Sequence, residues 1–154
     1  MKYSTKVSDA VHILAFIVLN PKGSLSSESI AESVRTNPGC VRQIMSALRK
    51  ADLLSSVKGR PRPSLARDPS AITLLDIYRA VEGDKPLLHP DTHTNPGCDV
   101  GVDIQLAVRD CFDQVQETAE QEMQNITLQQ ILDQYEKRHE THHGTGTPAS
   151  TPTK

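Results

Sequence analysis

Residues 26–67 constrain the fold more than any other part of the chain, because they predict two short helices, a tight break and a basic hairpin in that order. The first helix follows Ser26, and Thr36-Asn37-Pro38 breaks it before a second apolar-periodic helix begins. Their apolar positions are Ile30, Ala31, Val34, Val41, Ile44, Met45 and Leu48, of which Ala31, Val34, Val41 and Ile44 form the inward set at the helix crossing. Two short helices joined by a tight break are typical of a helix-turn-helix that reads double-stranded DNA.

The polar residues of this region are spaced so that they face away from the apolar positions. Arginine, asparagine, glutamine, serine and threonine side chains donate to phosphates and base edges. The predicted DNA contacts here are Ser27, Thr36, Asn37, Arg42, Gln43, Ser46 and Arg49.

A wing is predicted directly after the second helix. Residues 53–58 have strand composition and run into Gly59-Arg60-Pro61-Arg62-Pro63, which turns the chain. The predicted DNA contacts of the wing are Lys58, Arg60 and Arg62. The sequence therefore predicts a winged helix-turn-helix.

Charge is distributed unevenly along the chain, although the formal net charge is only -2. Residues 35–67 contain eight basic residues and one acid, whereas residues 99–140 contain ten acids and three bases. The basic end is suited to a polyanion and the acidic end to solvent. A charged helix face is often only solvated, and the alternative function is a winged-helix protein-interaction module without specific DNA binding.

Composition narrows the fold class and the cellular compartment that we expect. The chain has 154 residues, 36% of them apolar and 3% aromatic, which favours a mainly α fold with a small β-wing. The longest apolar run, residues 10–19, is interrupted by His12 and is too short to span a bilayer, so we expect a cytoplasmic protein with no membrane partner. Three widely spaced cysteines indicate a reducing compartment rather than a disulfide framework.

A long helix is predicted near the C-terminal end, after a short helix that opens at Thr73 with a capping box and closes at Gly83. It extends from about residue 100 to residue 123, about 35 Å, which exceeds what so small a domain needs for its own core. Its apolar stripe, the predicted interface of a homodimer, is Ile104, Val108, Cys111 and Val115.

These elements divide the chain into four regions. Residues 1–83 are predicted to form the winged helix-turn-helix domain, and residues 84–99 a loop broken by prolines. Residues 100–138 are predicted to form the dimerisation helix and a short C-terminal helix, and residues 139–154 a disordered tail.

Several short sequence segments together resemble the IscR/NsrR/CymR (Rrf-type) family of winged-helix transcription regulators, over about residues 1–135. The segments are Val41-Arg42-Gln43-Ile44-Met45, Leu48-Arg49-Lys50-Ala51-Asp52-Leu53-Leu54, Leu65-Ala66-Arg67, residues 72–83 and Ile126-Thr127-Leu128. Residues 95–101, Asn-Pro-Gly-Cys-Asp-Val-Gly, resemble more narrowly the YwnA-like branch. The resemblance implies a homodimeric regulator, a repressor by analogy, held by its long helices on a palindromic operator.

Two departures from the family pattern affect these expectations. The wing carries an Arg-Pro alternation, which resembles an AT-hook core and suits a narrow A/T minor groove, in place of a glycine-rich loop. Iron-sulfur members carry three closely spaced cysteines, whereas this region has Cys98 and then only Cys111. We expect no cofactor and no iron-sulfur cluster.

The remaining reactive residues give one candidate sensor. Cys98 precedes a helix N-terminus, which favours a thiolate, so a thiol or redox sensor is one hypothesis and a tolerated loop cysteine the other. Cys40 and Cys111 are interpreted as small packing residues. Residues 139–143 match HExxH, but without a third ligand or a cleft they predict neither an enzyme nor a metal site.

Overall fold

The computed structural model describes residues 3–55 and 62–144, which contain six α-helices and one 3-10 turn. The helices are α1 (Lys6–Leu19), α2 (Ser27–Val34), α3 (Pro38–Lys50), α4 (Leu74–Glu82), α5 (Asp99–Asn125) and α6 (Leu128–His143), and the 3-10 turn is Pro69–Ala71. Within these ranges, no helix contains an apolar stretch long enough to cross a membrane.

The core forms around α1, which packs against α2, α3, α4 and α6. Its apolar residues recur at helical spacing, so Ala10, Ile13, Leu14 and Ile17 all lie on one buried face. The helix ends at Asn20, where Pro21 cannot continue the helical hydrogen bonding.

Helix α4 has the predicted capping box at its first turn. The Thr73 hydroxyl accepts from the Asp76 N–H at 3.1 Å, and the Asp76 carboxylate accepts from the Thr73 N–H at 3.0 Å. Gly83 ends the helix with φ of 62°, a backbone conformation that glycine adopts without steric cost. Both predicted ends of this helix are confirmed.

Helix α6 returns to the first domain instead of extending the dimerisation region. The Leu128 N–H donates to the Ile72 carbonyl, and the Leu74 N–H donates to the Ile126 carbonyl, both at 2.8 Å. Leu128 and Leu132 are buried in the same cluster as the residues of α1. The predicted grouping of residues 100–138 therefore differs from the structure, because the apolar face of α6 completes the core of residues 1–83.

The prediction of disorder from residue 139 onward is wrong for residues 139–143, because α6 continues to His143. Aromatic rings one turn apart line this extension: His139 stacks on Tyr135 at 5.5 Å between centroids, and His143 lies 4.3 Å from His139. The helix ends at Gly144. Residues 145–154 of the predicted tail lie outside the described part of the chain.

Helix α5 has 27 residues and none of them is buried. At about 1.5 Å per residue it is roughly 40 Å long, slightly longer than predicted. It packs against α4, and the 84–98 segment that precedes it is attached by the Leu87 N–H, which donates to the Gln116 side chain at 2.8 Å. Most of its surface is therefore left uncovered by its own chain.

Candidate nucleic-acid interface

The turn between α2 and α3 is built by its own residues. Arg35 ends α2 in the left-handed conformation, at φ of 62°, and reverses the chain direction. Asn37 then caps α3, because its Oδ1 accepts from the Cys40 N–H at 2.8 Å, and Pro38 occupies the first helical position. Asn37 is exposed, but its side-chain oxygen is engaged in capping, a role that the predicted DNA contact did not include.

Helix α3 separates an apolar face from a polar one. Val41, Ile44, Met45 and Leu48 are buried against α1, α2 and α4. On the opposite face Arg42, Gln43 and Ser46 are exposed, and Arg49 is half-buried. The outward orientation predicted for the first three is confirmed. The arrangement gives α3 a continuous row of hydrogen-bond donors along its solvent side.

Two further predicted contacts lie at the start and end of α2. Ser27 is the first residue of that helix and Thr36 follows its last turn, and both are half-buried. Ser26 caps the helix through its hydroxyl, which accepts from the Ser29 N–H at 3.2 Å. Ser27 and Thr36 thus flank a helix whose position is fixed by the core residues Ile30 and Ala31.

Arg42 has an acidic neighbour that the sequence analysis did not identify. Its guanidinium lies 3.8 Å from the Glu28 carboxylate of α2, and the two side chains are 61% and 72% exposed. An ion pair so exposed contributes little to stability, because water and salt screen it. Arg42 can therefore leave Glu28 and bind a phosphate or a base with little loss of folding stability.

The wing (residues 53–67) is described at its base, where its two strands meet. The Ser55 N–H donates to the Ser64 carbonyl at 2.8 Å, and the Ala66 N–H donates to the Leu53 carbonyl at 3.1 Å. Leu54 and Leu65 form an antiparallel bridge between them. This confirms a paired base for the wing, whereas Lys58 and Arg60 lie outside the described residues.

Arg62, a predicted DNA contact of the wing, is hydrogen-bonded within its own chain. Its Nη1 donates to the Gly23 carbonyl at 2.6 Å, and its Nη2 donates to the Asn20 carbonyl at 3.0 Å. Both acceptors belong to the backbone that links α1 to α2. The guanidinium is thus bound to the protein itself, which the Arg-Pro pattern did not indicate.

Arg67 is a second arginine with a role that the sequence analysis missed. It donates from Nε to the Asp52 carbonyl at 3.2 Å and from Nη2 to the Ala51 carbonyl at 3.4 Å. Its Nη1 also lies 3.8 Å from the Asp76 carboxylate. The carbonyls at a helix end lack helical partners, and Arg67 supplies donors to them from 15 and 16 positions further along the chain, a distance at which no local sequence signal indicates the contact.

The predicted dimer stripe lies on the uncovered side of α5. Ile104 is 55% exposed and Val115 is 48% exposed, Cys111 is exposed, and Val108 is half-buried. Gln116 and Glu120 occupy another side of the helix, at about 100° of rotation per residue. They contact α4, through a hydrogen bond of 3.4 Å from Gln116 to Tyr78 and an ion pair of 3.6 Å between Glu120 and Arg79.

The cysteines stand apart from one another. Cys98 is exposed at the N-cap of α5, Cys40 is half-buried in the first turn of α3, and Cys111 is exposed on α5. The interpretation of Cys40 as a packing residue agrees with its burial. Cys111 is exposed in its own chain, so it can act as a packing residue only if another chain covers it.

Comparison with known proteins points to one family. The model of the Rrf2 family, described as iron-dependent transcriptional regulators, matches residues 3–134. The HTH-type transcriptional regulator YwnA of Bacillus subtilis is 41% identical over 129 residues, which are 84% of this chain and 96% of that protein. This relative agrees with the narrower branch expected from residues 95–101.

Two solved structures extend the similarity to the fold. A crystal structure of a DNA-binding protein is 40% identical, with a TM-score of 0.67, and the match covers 82% of this chain and 98% of that one. CymR (YrzC), the global cysteine regulator of B. subtilis, is 25% identical, with a TM-score of 0.61, over 86% of this chain and 97% of that one. The relatives are named as regulators and not as enzymes.

Because the family is described as iron-dependent, we compare the residues of this chain with those that an iron centre needs. Cys98 and Cys111 are thirteen positions apart along α5, which at about 1.5 Å per residue separates them by roughly 20 Å. Across residues 3–55 and 62–144, no three His, Cys, Asp or Glu side chains are grouped to hold a metal ion. The described residues of one chain therefore do not fit a cysteine-ligated iron-sulfur cluster.

Proposed function

The chain belongs to the Rrf2 family of transcriptional regulators, and from that premise we propose that it binds a palindromic operator as a homodimer and represses transcription. In this proposal α3 of each copy enters the major groove and the wing lies over the neighbouring minor groove. The proposal rests on the division of α3 into a buried apolar face and an exposed polar face.

Recognition by α3 is supported by the way its polar face is held. Four buried apolar residues fix the rotation of the helix about its axis, so Arg42, Gln43 and Ser46 project together into solvent. Arginine pairs with guanine and glutamine with adenine through two hydrogen bonds each in the major groove. We therefore assign base reading to Arg42 and Gln43, and phosphate contact to Ser27, Thr36, Asn37, Ser46 and Arg49 at the rim.

Dimerisation is supported by the apolar surface of α5. A helix of 27 residues without a buried side chain gains little from its own chain, and its stripe of Ile104, Val108, Cys111 and Val115 is costly to leave in water. A second copy related by two-fold symmetry covers both stripes at once. Two copies also match the two half-sites of a palindrome.

Selection of bound duplexes from a random-sequence DNA pool tests the proposal. We expect enrichment of a palindrome with half-sites about one helical turn apart, and loss of sequence preference at one position of each half when Arg42 is changed to alanine. Failure of the wild-type protein to enrich any sequence at low salt would instead favour a protein-interaction module.

A thiol response is a second proposal, favoured by the position of Cys98. Its exposed side chain stands at the N-cap of the helix that carries the proposed dimer interface, and it makes no capping hydrogen bond there. An adduct on this thiol could alter the angle between the two copies and so the spacing of their α3 helices.

The thiol proposal is tested by operator affinity before and after mild peroxide, in the wild-type protein and in Cys98→Ser, with Cys40 and Cys111 changed to serine in both. We expect oxidation to weaken only the protein that retains Cys98, and added reductant to restore its binding. Equal responses of the two proteins would remove Cys98 from the mechanism.

A further inference from the structure

The strand that returns from the wing (residues 62–67) is attached to the helix-turn-helix by an arginine at each end. Arg62 binds the carbonyls of Asn20 and Gly23, and Arg67 binds those of Ala51 and Asp52. Asn20 is the C-cap of α1 and Ala51 is the C-cap of α3. Each guanidinium therefore neutralises the negative end of a different helix while it anchors the strand.

The geometry at Arg62 suits a guanidinium. Its Nη1 and Nη2 donate in parallel to two carbonyl oxygens, at 2.6 Å and 3.0 Å, and the two acceptors lie on either side of the turn that follows α1. The planar fork of the guanidinium holds two donor nitrogens at a fixed spacing that suits both acceptors, whereas the three donors of a lysine ammonium radiate from a single nitrogen. We call this pair of hydrogen bonds the Arg62 clamp.

Apolar packing between the return strand and α1 is incomplete. A groove of about 420 Å³ lies between them, with Ile17 and Leu25 on one side and Pro63 and Leu65 on the other. Ile17, Leu25 and Leu65 nevertheless lie in or against the hydrophobic core, which holds one side of this segment. The Arg62 hydrogen bonds attach the segment at the edge of the groove, where Arg62 is itself part of the lining.

We propose that Arg62 is a positioning residue, which holds the wing at a set distance from α3 so that both elements meet the same operator. This inference rests on the proposed DNA binding and replaces the direct minor-groove contact that the sequence suggested for Arg62. Two of the five N–H donors of the guanidinium are engaged by the protein, which leaves only the other three for a phosphate. Arg62 acts on DNA through the backbone that it fixes.

Amide hydrogen exchange in the DNA-free protein tests the clamp directly. The Ser55 N–H reports on the wing because it donates to the Ser64 carbonyl at 2.8 Å, two residues from the clamp. We expect its exchange to become about fivefold to tenfold faster in Arg62→Ala and in Arg62→Lys, as loss of roughly one net hydrogen bond at a solvent-exposed site implies. The Ala51 N–H, which donates to Ala47 in α3, should keep its protection and so verify the fold.

Lys22→Ala is the matched control. It removes a positive charge from the same linker while it leaves both carbonyl acceptors in place, so the exchange of Ser55 should not change. Unchanged exchange in Arg62→Ala would overturn the clamp, and an effect of equal size in Lys22→Ala would trace the change to charge alone.

Operator affinity then tests the positioning role. We expect Arg62→Ala and Arg62→Lys to bind the selected operator about fivefold to tenfold more weakly, because lysine keeps the charge but not the fork. Full affinity in Arg62→Lys would show a simple phosphate contact, and full affinity in Arg62→Ala would show that the clamp has no part in binding; either result overturns the proposal. Absence of operator binding by the wild-type protein would refute the proposed function, while the exchange result would still report whether Arg62 fixes the wing.

Discussion

Helices α3 and α5 distribute their apolar residues in opposite ways. In α3, thirteen residues long, Val41, Ile44, Met45 and Leu48 are all buried, and the polar residues face solvent. In α5, with 27 residues, none is buried, and Ile104 and Val115 are about half exposed. Helix α3 is thus completed by its own chain and keeps a polar face in solvent, whereas α5 keeps an apolar face in solvent. This difference supports the proposed roles of α3 in DNA binding and of α5 in dimerisation.

A charge on the α5 stripe should give the largest effect. We expect Val115→Asp to weaken the dimer by roughly 3–5 kcal/mol, because association would bury an uncompensated carboxylate from each copy. Sedimentation velocity across a range of concentrations measures this. Gln121→Asp places the same charge on another exposed side of the helix and should leave the dimer intact. A dimer that survives Val115→Asp would show that the interface lies elsewhere.

Truncation of a buried residue in α3 should have the next largest effect, on folding instead of assembly. Leu48 is fully buried, so Leu48→Ala should lower the free energy of unfolding by about 2–5 kcal/mol. Ile104→Ala, tested in the Val115→Asp background to remove the dimer, should change that free energy by less than about 0.5 kcal/mol. Urea titration followed by circular dichroism measures the free energy of unfolding of each variant. Equal losses in Leu48→Ala and Ile104→Ala would contradict the contrast between the two helices.

Removal of a polar side chain from α3 should affect DNA binding alone. Arg42→Ala should weaken the selected operator by about 1–3 kcal/mol and leave the unfolding free energy nearly unchanged, since its ion pair with Glu28 is exposed. Fluorescence anisotropy gives the affinity. Arg109→Ala removes an exposed arginine from α5 and serves as the control. Equal losses in the two variants would indicate that only total charge matters.

The smallest effect concerns the attachment of α6. Thr127 caps this helix, because its hydroxyl accepts from the Gln130 N–H at 3.2 Å. Thr127→Ala should lower the free energy of unfolding by about 0.5–2 kcal/mol, and Thr127→Ser should restore most of it. Thermal unfolding of both variants measures the change. If Thr127→Ala altered the dimer and not the stability of the fold, α6 would belong with α5 after all.

Local signals explain what the sequence could predict. The helix-turn-helix follows from apolar spacing together with the caps at Ser26 and Asn37, and α4 follows from its capping box and Gly83. Each of these features depends on residues a few positions apart. The exposed stripe of α5 was predictable for the same reason.

Contacts between distant residues explain what the sequence could not predict. Arg62 binds carbonyls 39 and 42 positions earlier, and nothing in the Arg-Pro pattern indicates where those carbonyls lie. The burial of Leu128 and Leu132 depends on the return of α6 to α1, which the apolar pattern of α6 does not specify. The polar composition after residue 138 likewise suggested a disordered tail, but α6 continues to His143, where the rings of Tyr135, His139 and His143 lie one turn apart.

In the proposed complex, two copies joined through α5 present two α3 helices to one operator. Sedimentation of the protein on a selected duplex, combined with a hydroxyl-radical footprint, measures the number of chains bound and the spacing of the protected segments. We expect two chains per duplex and two protected half-sites about 34–36 Å apart, both lost in Val115→Asp. A single chain that protects one segment with full affinity would contradict it.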